Sequence, residues 1–301
     1  NLTFASVGAN ENVLQSKNID YTSIHAHRAN HASYYPNSSN IALKLIFDKE
    51  NGKILGAQAV GADGTEKRID VIGTVMQMGG TIYDLAGLEL SYAPPYSSAK
   101  DPVNILGYIA ENVANGVYKT VYHNEIDSLA ESGNVFDVRS KFEFDNGHIP
   151  NAKNLNIDKL RQNLDKLPQD KSAPLYLYCQ VGLRGYLAIN ILRDAGYTNL
   201  YNLSGGYLTY KTYKYNLGVR NNRINKNMEV NDMQMDLGIK EIDVTGLQCP
   251  GPLMATYKEM GKLNAGEKLK VTATDGGFAS DIESWCKTNG HSLDELKVDN
   301  G

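Results

Sequence analysis

The chain has 301 residues, of which 42% are apolar and 21% are charged, and its formal net charge at pH 7 is −4. This mild acidity gives no reason to expect nucleic acid or an anionic membrane surface as a partner, and no apolar run approaches the roughly 18 residues of a membrane helix. A prior of roughly 100–200 residues per domain predicts two or three domains.

The cysteines are sparse: Cys179, Cys249 and Cys286 stand far apart in the chain. An odd set without short spacing argues against a disulfide framework or a zinc site. We therefore expect free thiols in a reducing, cytoplasmic compartment, and no secretory signal is visible. Because the first residue is Asn1 rather than methionine, we expect the chain to be a piece of a longer protein.

The first segment extends to about residue 116 and shows a hairpin followed by helical patterns. Asn51-Gly52 lies between two apolar runs and readily takes positive φ, so it predicts a tight turn between two strands. Apolar residues at helical spacing follow. The predicted elements are strands at Ile41–Phe47 and Ile54–Val60, a helix at Thr65–Met78 with apolar Ile69, Ile72, Val75 and Met76, and a helix at Ile105–Val113.

The second segment, roughly 118–210, alternates strand and helix patterns. Such alternation indicates βαβ units and a parallel sheet. The predicted elements are strands at Val135–Val138, Leu175–Tyr178 and Asn199–Leu203, and a helix at Gly185–Asp194 with apolar Leu187, Ile191 and Leu192.

The alternation stops from Lys211 to about Gly238. As far as residue 227 this stretch carries Lys and Arg without an acid. We interpret it as a solvated linker, with a nucleic-acid contact as the alternative.

The third segment, from about residue 239, has the pattern of a small α/β unit. It ends on Asp299-Asn300-Gly301, which is typical of a hairpin turn, so we expect the last strand of this fold to lie beyond the chain end. The predicted elements are strands at Lys240–Val244 and Leu269–Thr274 and helices at Leu253–Leu263 and Phe278–Thr288.

Residues 178–185 read YCQVGLRG and place Cys179 where a strand ends and a helix begins. The N–H groups of such a loop converge into an anion cradle at the positive end of the helix dipole. Gly182 and Gly185 permit the tight backbone path, and Arg184 adds a positive charge that can fold over an anion. These features favour the thiolate, the reactive form of cysteine. The alternative is a buried structural cysteine.

The spacing of Cys179 and Arg184, with four residues between them, resembles the active-site loop of rhodaneses, which are sulfurtransferases. Three more motifs resemble the family in the same order, over about 118–210: Phe136–Arg139, Gly147–Ala152 and Leu203–Gly206. The resemblance implies that Cys179 takes up a sulfane sulfur as a persulfide. It also implies that this persulfide is stabilised by Arg184 and by the loop residues Gln180, Val181, Gly182, Leu183 and Gly185.

The same resemblance implies roles beside the loop. Asp137 and Arg139 hold its surroundings, and His148 is interpreted as a turn histidine with a structural hydrogen bond rather than an acid–base group. Related dual-specificity phosphatases have a loop one residue longer, which fits a phosphate. The short loop makes a phosphatase the third choice.

Cys249 stands before a helix, and Pro250 suits its first turn. Gly246-Leu247 followed by Cys-Pro-x-Pro resembles the TusA (SirA-like) sulfur carriers over about 239–301, which implies a persulfide on Cys249. The two thiols then suggest a relay from Cys179 to Cys249, with independent action as the alternative. Cys286, on a helix with Phe278 and Ile282, is expected to be a core residue.

Residues 1–116 resemble the dimerisation domain of flavin-dependent pyridine nucleotide-disulfide reductases, in the coenzyme A-disulfide reductase branch. The resembling stretches are Asn1–Gly8, His31–Pro36 and Tyr92–Pro102. In that family, tyrosines of this domain approach the partner's flavin site. The candidates are Tyr34 or Tyr35 and Tyr92 or Tyr96, with interface packing as the alternative.

The chain departs from the full reductase pattern, because it has neither a G-x-G-x-x-G unit nor the reductase cysteine. We therefore expect no cofactor to be bound by this chain alone; FAD, NAD(P)H and coenzyme A are implied for the full-length protein. His25, His27 and His31 lack a neighbouring carboxylate or cysteine, so we expect no metal site.

Together these patterns predict a multidomain protein of α/β and α+β class. We expect an α+β dimerisation domain at 1–116, a rhodanese-like α/β parallel sheet at 118–217, a linker at 218–238 and a small two-layer α/β TusA-like domain at 239–301. The expected function is sulfur handling within a coenzyme A-disulfide or persulfide reductase. The expected partners are a sulfane-sulfur donor (thiosulfate, persulfide or polysulfide), a thiol acceptor and a second copy of the chain in a homodimer. The alternative is a non-catalytic dimerisation and persulfide-docking module.

Overall fold

The protein is described from a computed structural model. The described residues are 2–219, 239–247, 250–263 and 267–298. They fall into two compact units, Asn1–Asn216 and Leu217–Gly301, which are described separately. Most of the predicted linker, Cys249 and the terminal turn lie outside the described residues. Within the described ranges, no helix is long and apolar enough to cross a bilayer.

The first part of the larger unit is a four-stranded antiparallel sheet in the order β1-β4-β3-β2, with helices packed against it. The predicted hairpin is confirmed: β3 and β4 pair antiparallel, and Gly52 has φ +74° in the turn between them. The strands are β1 (Thr3–Gly8), β2 (Thr22–Ala29), β3 (Asn40–Phe47) and β4 (Ile54–Gly61), and the helices are α1 (Glu11–Ser16), α2 (Thr65–Gln77), α3 (Ile82–Gly87) and α4 (Pro102–Ala114).

The packing of α2 and α4 follows from their sequences. Ile69 and Ile72 on α2 are buried as predicted. Helix α4 begins earlier than predicted because Asp101 caps its N-terminus and Pro102 occupies the first turn. Asp101 also pairs with Arg68 of α2, and both side chains are buried, so this ion pair fixes the two helices to each other.

The second part of the larger unit is a five-stranded parallel sheet in the order β5-β9-β8-β6-β7, which confirms the predicted architecture. Its strands are β5 (Lys119–Val121), β6 (Val135–Asp137), β7 (Lys153–Asn154), β8 (Leu175–Tyr178) and β9 (Leu200–Leu203). Its helices are α5 (Ile126–Ala130), α6 (Lys141–Asp145), α7 (Leu183–Asp194) and α8 (206–219), and two short 3-10 helices lie at Ile157–Gln162 and Leu164–Lys166.

One prediction in this part is wrong. Residues 211–219 were expected to begin the linker, but they continue α8. This helix is anchored from its first turns, where Tyr210 is buried and its hydroxyl donates to Asp127. The predicted helix is confirmed as α7, whose buried face consists of Gly185, Ala188, Ile189 and Leu192, and Leu187 is 44% exposed.

The described residues of the smaller unit form a parallel pair of strands and two helices, as predicted. Cys286 is buried on its helix together with Ile282, and burial raises the pKa of its thiol. The prediction of a core role for Cys286 is thereby confirmed. The elements are β10 (Lys240–Asp243), α9 (Gly251–Met260), β11 (Leu269–Thr272) and α10 (Phe278–Asn289).

Candidate functional site

Cys179 directly follows β8, and its loop leads into α7. The residue is 1% exposed, and the Gly182 N–H donates to its Sγ atom at 3.2 Å. Gly182 has φ +102°, in the region that favours glycine. This conformation turns a backbone donor towards the sulfur, as an anion-binding loop requires.

The start of α8 holds the loop from the other side. Tyr207 and Leu208 donate their N–H groups to the carbonyl oxygens of Cys179 and Gln180, at 2.8 and 3.0 Å. Gly206 has φ +63°, and a Cβ atom there would lie 2.5 Å from the Cys179 carbonyl oxygen. The Gly-Gly motif therefore allows a helix to begin in direct contact with the loop.

Asn202 on β9 supports the loop from the sheet and was not predicted from the sequence. Its Nδ2 atom donates to the Gly182 carbonyl at 3.1 Å. A Cβ atom at Gly185 would lie 2.3 Å from Asn202 Oδ1, so glycine is required for this close approach. No motif in the sequence indicates this contact, because it depends on the register of β8 and β9.

Arg184 forms a bidentate ion pair with Glu143, with hydrogen bonds of 2.8 and 2.6 Å. The pairing holds the pKa of Glu143 at about 2 and raises that of Arg184. A weaker interaction with Cys179, by charge and by hydrogen bond, also raises the pKa of Arg184. The guanidinium thus interacts with both the thiol and the Glu143 carboxylate, which was not predicted from the sequence.

Glu143 is fixed by the cap of α6. It accepts hydrogen bonds from the N–H and the Oγ of Ser140 at 3.1 and 3.0 Å. Ser-x-x-Glu is the sequence signature of this capping box. The sequence could therefore have placed Glu143 at a helix start, although not beside Arg184.

Asp137 and Arg139 form a buried ion pair next to the loop. Arg139 donates to Asp137 at 2.6 Å, to Gln180 Oε1 at 3.0 Å and to the Gly147 carbonyl at 2.8 Å. Its guanidinium also lies 4.3 Å from the centre of the Tyr207 ring. These contacts join the strand end, the GHIPNA turn and the loop.

His148 lies in that turn. Its Nδ1 atom is 2.9 Å from the Phe144 carbonyl, and its ring stacks on Phe144 at 3.8 Å. The predicted structural hydrogen bond is present.

His25 and His27 lie on β2 and face the second part of the unit. His25 Nδ1 is 3.1 Å from Ser204 Oγ, and His27 Nε2 is 2.7 Å from Thr209 Oγ1. Burial lowers the pKa of His25 to about 3, with smaller contributions from nearby Lys44 and other histidines, and lowers that of His27 to about 4. Both rings are therefore neutral at pH 7.

His31 is engaged elsewhere, with its Nε2 atom 3.1 Å from the Pro36 carbonyl. Across the residues that the structure describes, no three His, Cys, Asp or Glu side chains are grouped to hold a metal ion.

A cavity of about 310 Å³ lies where β2 and α4 meet the second part of the unit. The loop residues Val181, Gly182 and Leu183 line one side of it, and Ile24 and Tyr118 are among the apolar residues on its walls. The loop is therefore bounded by both parts of the larger unit.

The structure pairs two of the four candidate tyrosines. The hydroxyls of Tyr34 and Tyr92 are 3.3 Å apart, and this contact raises the pKa of Tyr34. Tyr35 instead packs edge-on against His31, and Tyr96 is exposed.

Cys249 lies outside the described residues, so only its surroundings are known. Gly246 has φ +81°, and its N–H donates to Thr274 Oγ1 at 2.9 Å. Leu247 precedes the gap and Met254 and Tyr257 follow it on α9; all three are exposed.

Comparison with family models assigns three consecutive domains. Residues 1–102 match the pyridine nucleotide-disulphide oxidoreductase dimerisation domain. Residues 122–212 match the rhodanese-like domain, and residues 240–301 match the sulfurtransferase TusA family.

The curated relatives include the coenzyme A disulfide reductases of Staphylococcus epidermidis and Staphylococcus aureus. Each is 44% identical over 109 residues, which is 36% of this chain and 24% of the relative. The chain therefore spans about a quarter of the length of these relatives.

Two solved structures are similar over most of the chain. Reduced CoADR-RHD of Bacillus anthracis is 46% identical, with a TM-score of 0.68 over 70% of this chain and 38% of that one. The NAD-dependent persulfide reductase of A. fulgidus is 37% identical, with a TM-score of 0.61 over 68% of this chain and 36% of that one. The chain thus comprises a pyridine nucleotide-disulphide oxidoreductase dimerisation domain, a rhodanese-like domain and a TusA domain, and its homologues are coenzyme A disulfide and persulfide reductases.

Proposed function

We propose that Cys179 is the acceptor of sulfane sulfur in a rhodanese-type transfer. The observation that carries this proposal is the hydrogen bond from the Gly182 N–H to Cys179 Sγ, in a loop that begins a helix. The Cys179 thiolate attacks the outer sulfur of the donor and forms a new S–S bond. The S–S bond of the donor breaks, and its electron pair leaves with the remainder, as sulfite from thiosulfate or as a thiolate from a persulfide.

The persulfide on Cys179 carries a negative charge on its outer sulfur. The Gly182 N–H and the adjacent Arg184 guanidinium are suited to stabilise this charge. The remaining loop residues, Gln180, Val181, Leu183 and Gly185, set the backbone path. An acceptor thiolate then attacks the outer sulfur and releases the Cys179 thiolate.

We propose Cys249 as one such acceptor and a small thiol as the other. The supporting observation is the TusA match over residues 240–301, which contains Cys249 in its Cys-Pro-Gly-Pro setting.

For the full-length protein we propose an FAD- and NAD(P)H-dependent disulfide or persulfide reductase acting with coenzyme A, on the basis of the similar reductases. The described residues contain no strand–G-x-G-x-x-G–helix unit. Tyr34 and Tyr92 are proposed to face the partner's reductase site. The matched dimerisation domain supports a homodimer. Cys179 and Cys286 are free thiols, which supports a cytoplasmic location.

The test is sulfur loading followed by intact mass. The wild-type chain is incubated with a persulfide donor, and we expect a gain equal to one or more sulfur atoms. Cys179→Ala should no longer acquire the sulfur mass at this site. Cys286→Ala removes a core thiol and is the matched control, which should still acquire it. An absence of loading in every variant would contradict the proposal, and loading without onward transfer to any thiol would support the docking module instead.

The relay is tested by locating the sulfur on peptides. If Cys249 receives its sulfur from Cys179, Cys179→Ala leaves Cys249 unloaded, while Cys249→Ala still loads Cys179. Loading of Cys249 in Cys179→Ala would show that the two thiols act independently.

The homodimer is tested by sedimentation velocity of the whole chain. We expect a species of twice the chain mass at micromolar concentration, and a monomer at all concentrations would contradict it.

A further inference from the structure

The charges around Cys179 are more evenly balanced than the sequence suggested. Arg184 is matched by Glu143 through two hydrogen bonds, and Arg139 is matched by Asp137. Each guanidinium that supports the loop therefore has its own carboxylate. An anionic donor that approaches Arg184 also approaches the Glu143 carboxylate.

The Glu143 side chain is fixed in place by hydrogen bonds. Ser140 donates two hydrogen bonds to the same carboxylate oxygen that accepts from Arg184 Nη1. The pairing with Arg184 keeps the carboxylate ionised, because it holds the pKa of Glu143 far below neutral pH. At pH 7 the loop thus presents a positive and a negative charge side by side.

We propose that Glu143 makes the sulfur-accepting loop select donors of low negative charge over dianions such as thiosulfate. The inference rests on the proposed sulfur transfer and names the donor class for it. A neutral persulfide is neither attracted nor repelled by these two charges, and for a monoanion the attraction of Arg184 and the repulsion of Glu143 largely cancel. Arg184 alone would attract a dianion twice as strongly as a monoanion, but Glu143 removes this advantage, and the dianion must also compete with Glu143 for the donors of Arg184. A phosphate dianion is disfavoured for the same reason.

Thiosulfate and methanethiosulfonate are the matched probes, because they share a sulfane sulfur on a sulfonyl group and differ by one charge. In both cases the Cys179 thiolate bonds to the outer sulfur and the donor S–S bond breaks. Its electron pair leaves on sulfite from thiosulfate and on methanesulfinate from methanethiosulfonate. The readout is the second-order rate of persulfide formation on the whole chain, by quench and intact mass.

The decisive variant is Glu143→Gln, because glutamine removes the charge and still accepts hydrogen bonds from Ser140. We expect it to raise the ratio of the thiosulfate rate to the methanethiosulfonate rate by about five- to tenfold, the effect of one unit charge a few ångströms away when water screens the interaction. The thiosulfate rate of this variant should also fall more steeply with added salt than that of the wild type.

Asp145→Asn is the control for net charge, since it removes one carboxylate from the same helix and leaves Glu143 in place. It should keep the wild-type ratio, as should Glu143→Asp, which retains the charge. Equal changes for both donors in Glu143→Gln, or an equal change of the ratio in Asp145→Asn, would overturn the inference. Failure of the wild type to load from either donor would instead count against the proposed function itself.

Discussion

The two arginines near Cys179 differ in the burial of their ion pairs. Asp137 and Arg139 have side chains that are 0% and 3% exposed, whereas Glu143 and Arg184 are 32% and 35% exposed. A buried charge that loses its partner costs several kcal/mol, while exposed pairs contribute little to stability. We therefore expect a structural role for Arg139, whereas Arg184 is the arginine that we propose stabilises the bound sulfur.

This difference gives a prediction for stability. Arg139→Met should lower the free energy of unfolding by about 3–5 kcal/mol, because it leaves the Asp137 carboxylate buried and unpaired. Glu143→Gln should lower it by less than about 1 kcal/mol. Urea denaturation of both variants measures the contrast, and similar losses in the two would contradict it.

At the scale of elements, the loop depends on where α8 begins. Gly206 supplies a positive φ and the steric clearance that lets the helix N–H groups meet the Cys179 and Gln180 carbonyls. The loop geometry is therefore determined partly by a helix that follows it by more than 20 residues.

Gly206→Ala should consequently slow sulfur loading of Cys179. The added Cβ meets the Cys179 carbonyl, and the left-handed conformation alone costs about 1–2 kcal/mol for an L-residue. Gly218→Ala is the control in the same helix, where nothing lies within 4 Å and φ is not positive. We expect loading to fall at least about tenfold in the first variant and to be unchanged in the second, by intact mass. Equal rates in both would contradict this account.

The elements that the sequence predicted are those with strong periodicity or turn chemistry. Asn51-Gly52 marked the β3–β4 hairpin, and the apolar runs at Val135 and Leu175 marked the buried parallel strands. Strand β2 was not among the predicted elements, although its polar and apolar residues alternate as in a strand. The burial of His25 and His27 depends on a domain contact that no local pattern contains. Helix α8 was not predicted, because its exposed face is rich in Lys, Tyr and Asn.

The residues of the candidate site also fall into those that the sequence predicted and those that it did not. Cys179, Arg184, Asp137 and Arg139 belong to motifs with fixed spacing, so the sequence named them. Glu143 and Asn202 reach the loop from other elements, and only the assembled sheet brings them there.

At the scale of the molecule, the dimerisation and rhodanese-like domains meet along β2. His25 and His27 are held neutral in this contact because burial disfavours their charged forms. Their pKa values are about 3 and 4 in the folded chain, against 6.5 when exposed. The unfolded chain therefore binds more protons below pH 6.5, and the stabilisation, complete above that pH, declines as the pH falls towards 4.

Acid should accordingly weaken the larger unit. Between pH 7 and pH 5 we expect each histidine to account for a loss of about 1–2 kcal/mol in the free energy of unfolding. His25→Asn and His27→Gln should each reduce the loss of unfolding free energy between pH 7 and pH 5 by that amount. Urea denaturation at a series of pH values measures this loss. Above pH 7.5 the variants and the wild type should have parallel curves, and unchanged slopes between pH 7 and pH 5 would contradict the assignment.

One short turn, residues 204–206, touches both domains and the loop. Ser204 Oγ accepts the His25 N–H at 2.8 Å, a Cβ atom at Gly205 would lie 2.8 Å from His25 Cβ, and one at Gly206 would strike the Cys179 carbonyl. Adjacent positions thus exclude side chains for separate reasons. In a saturation-mutagenesis screen, positions 205 and 206 should both tolerate glycine alone. Substitutions at 205 should primarily loosen the contact between the two domains. Substitutions at 206 should primarily distort the loop that carries Cys179.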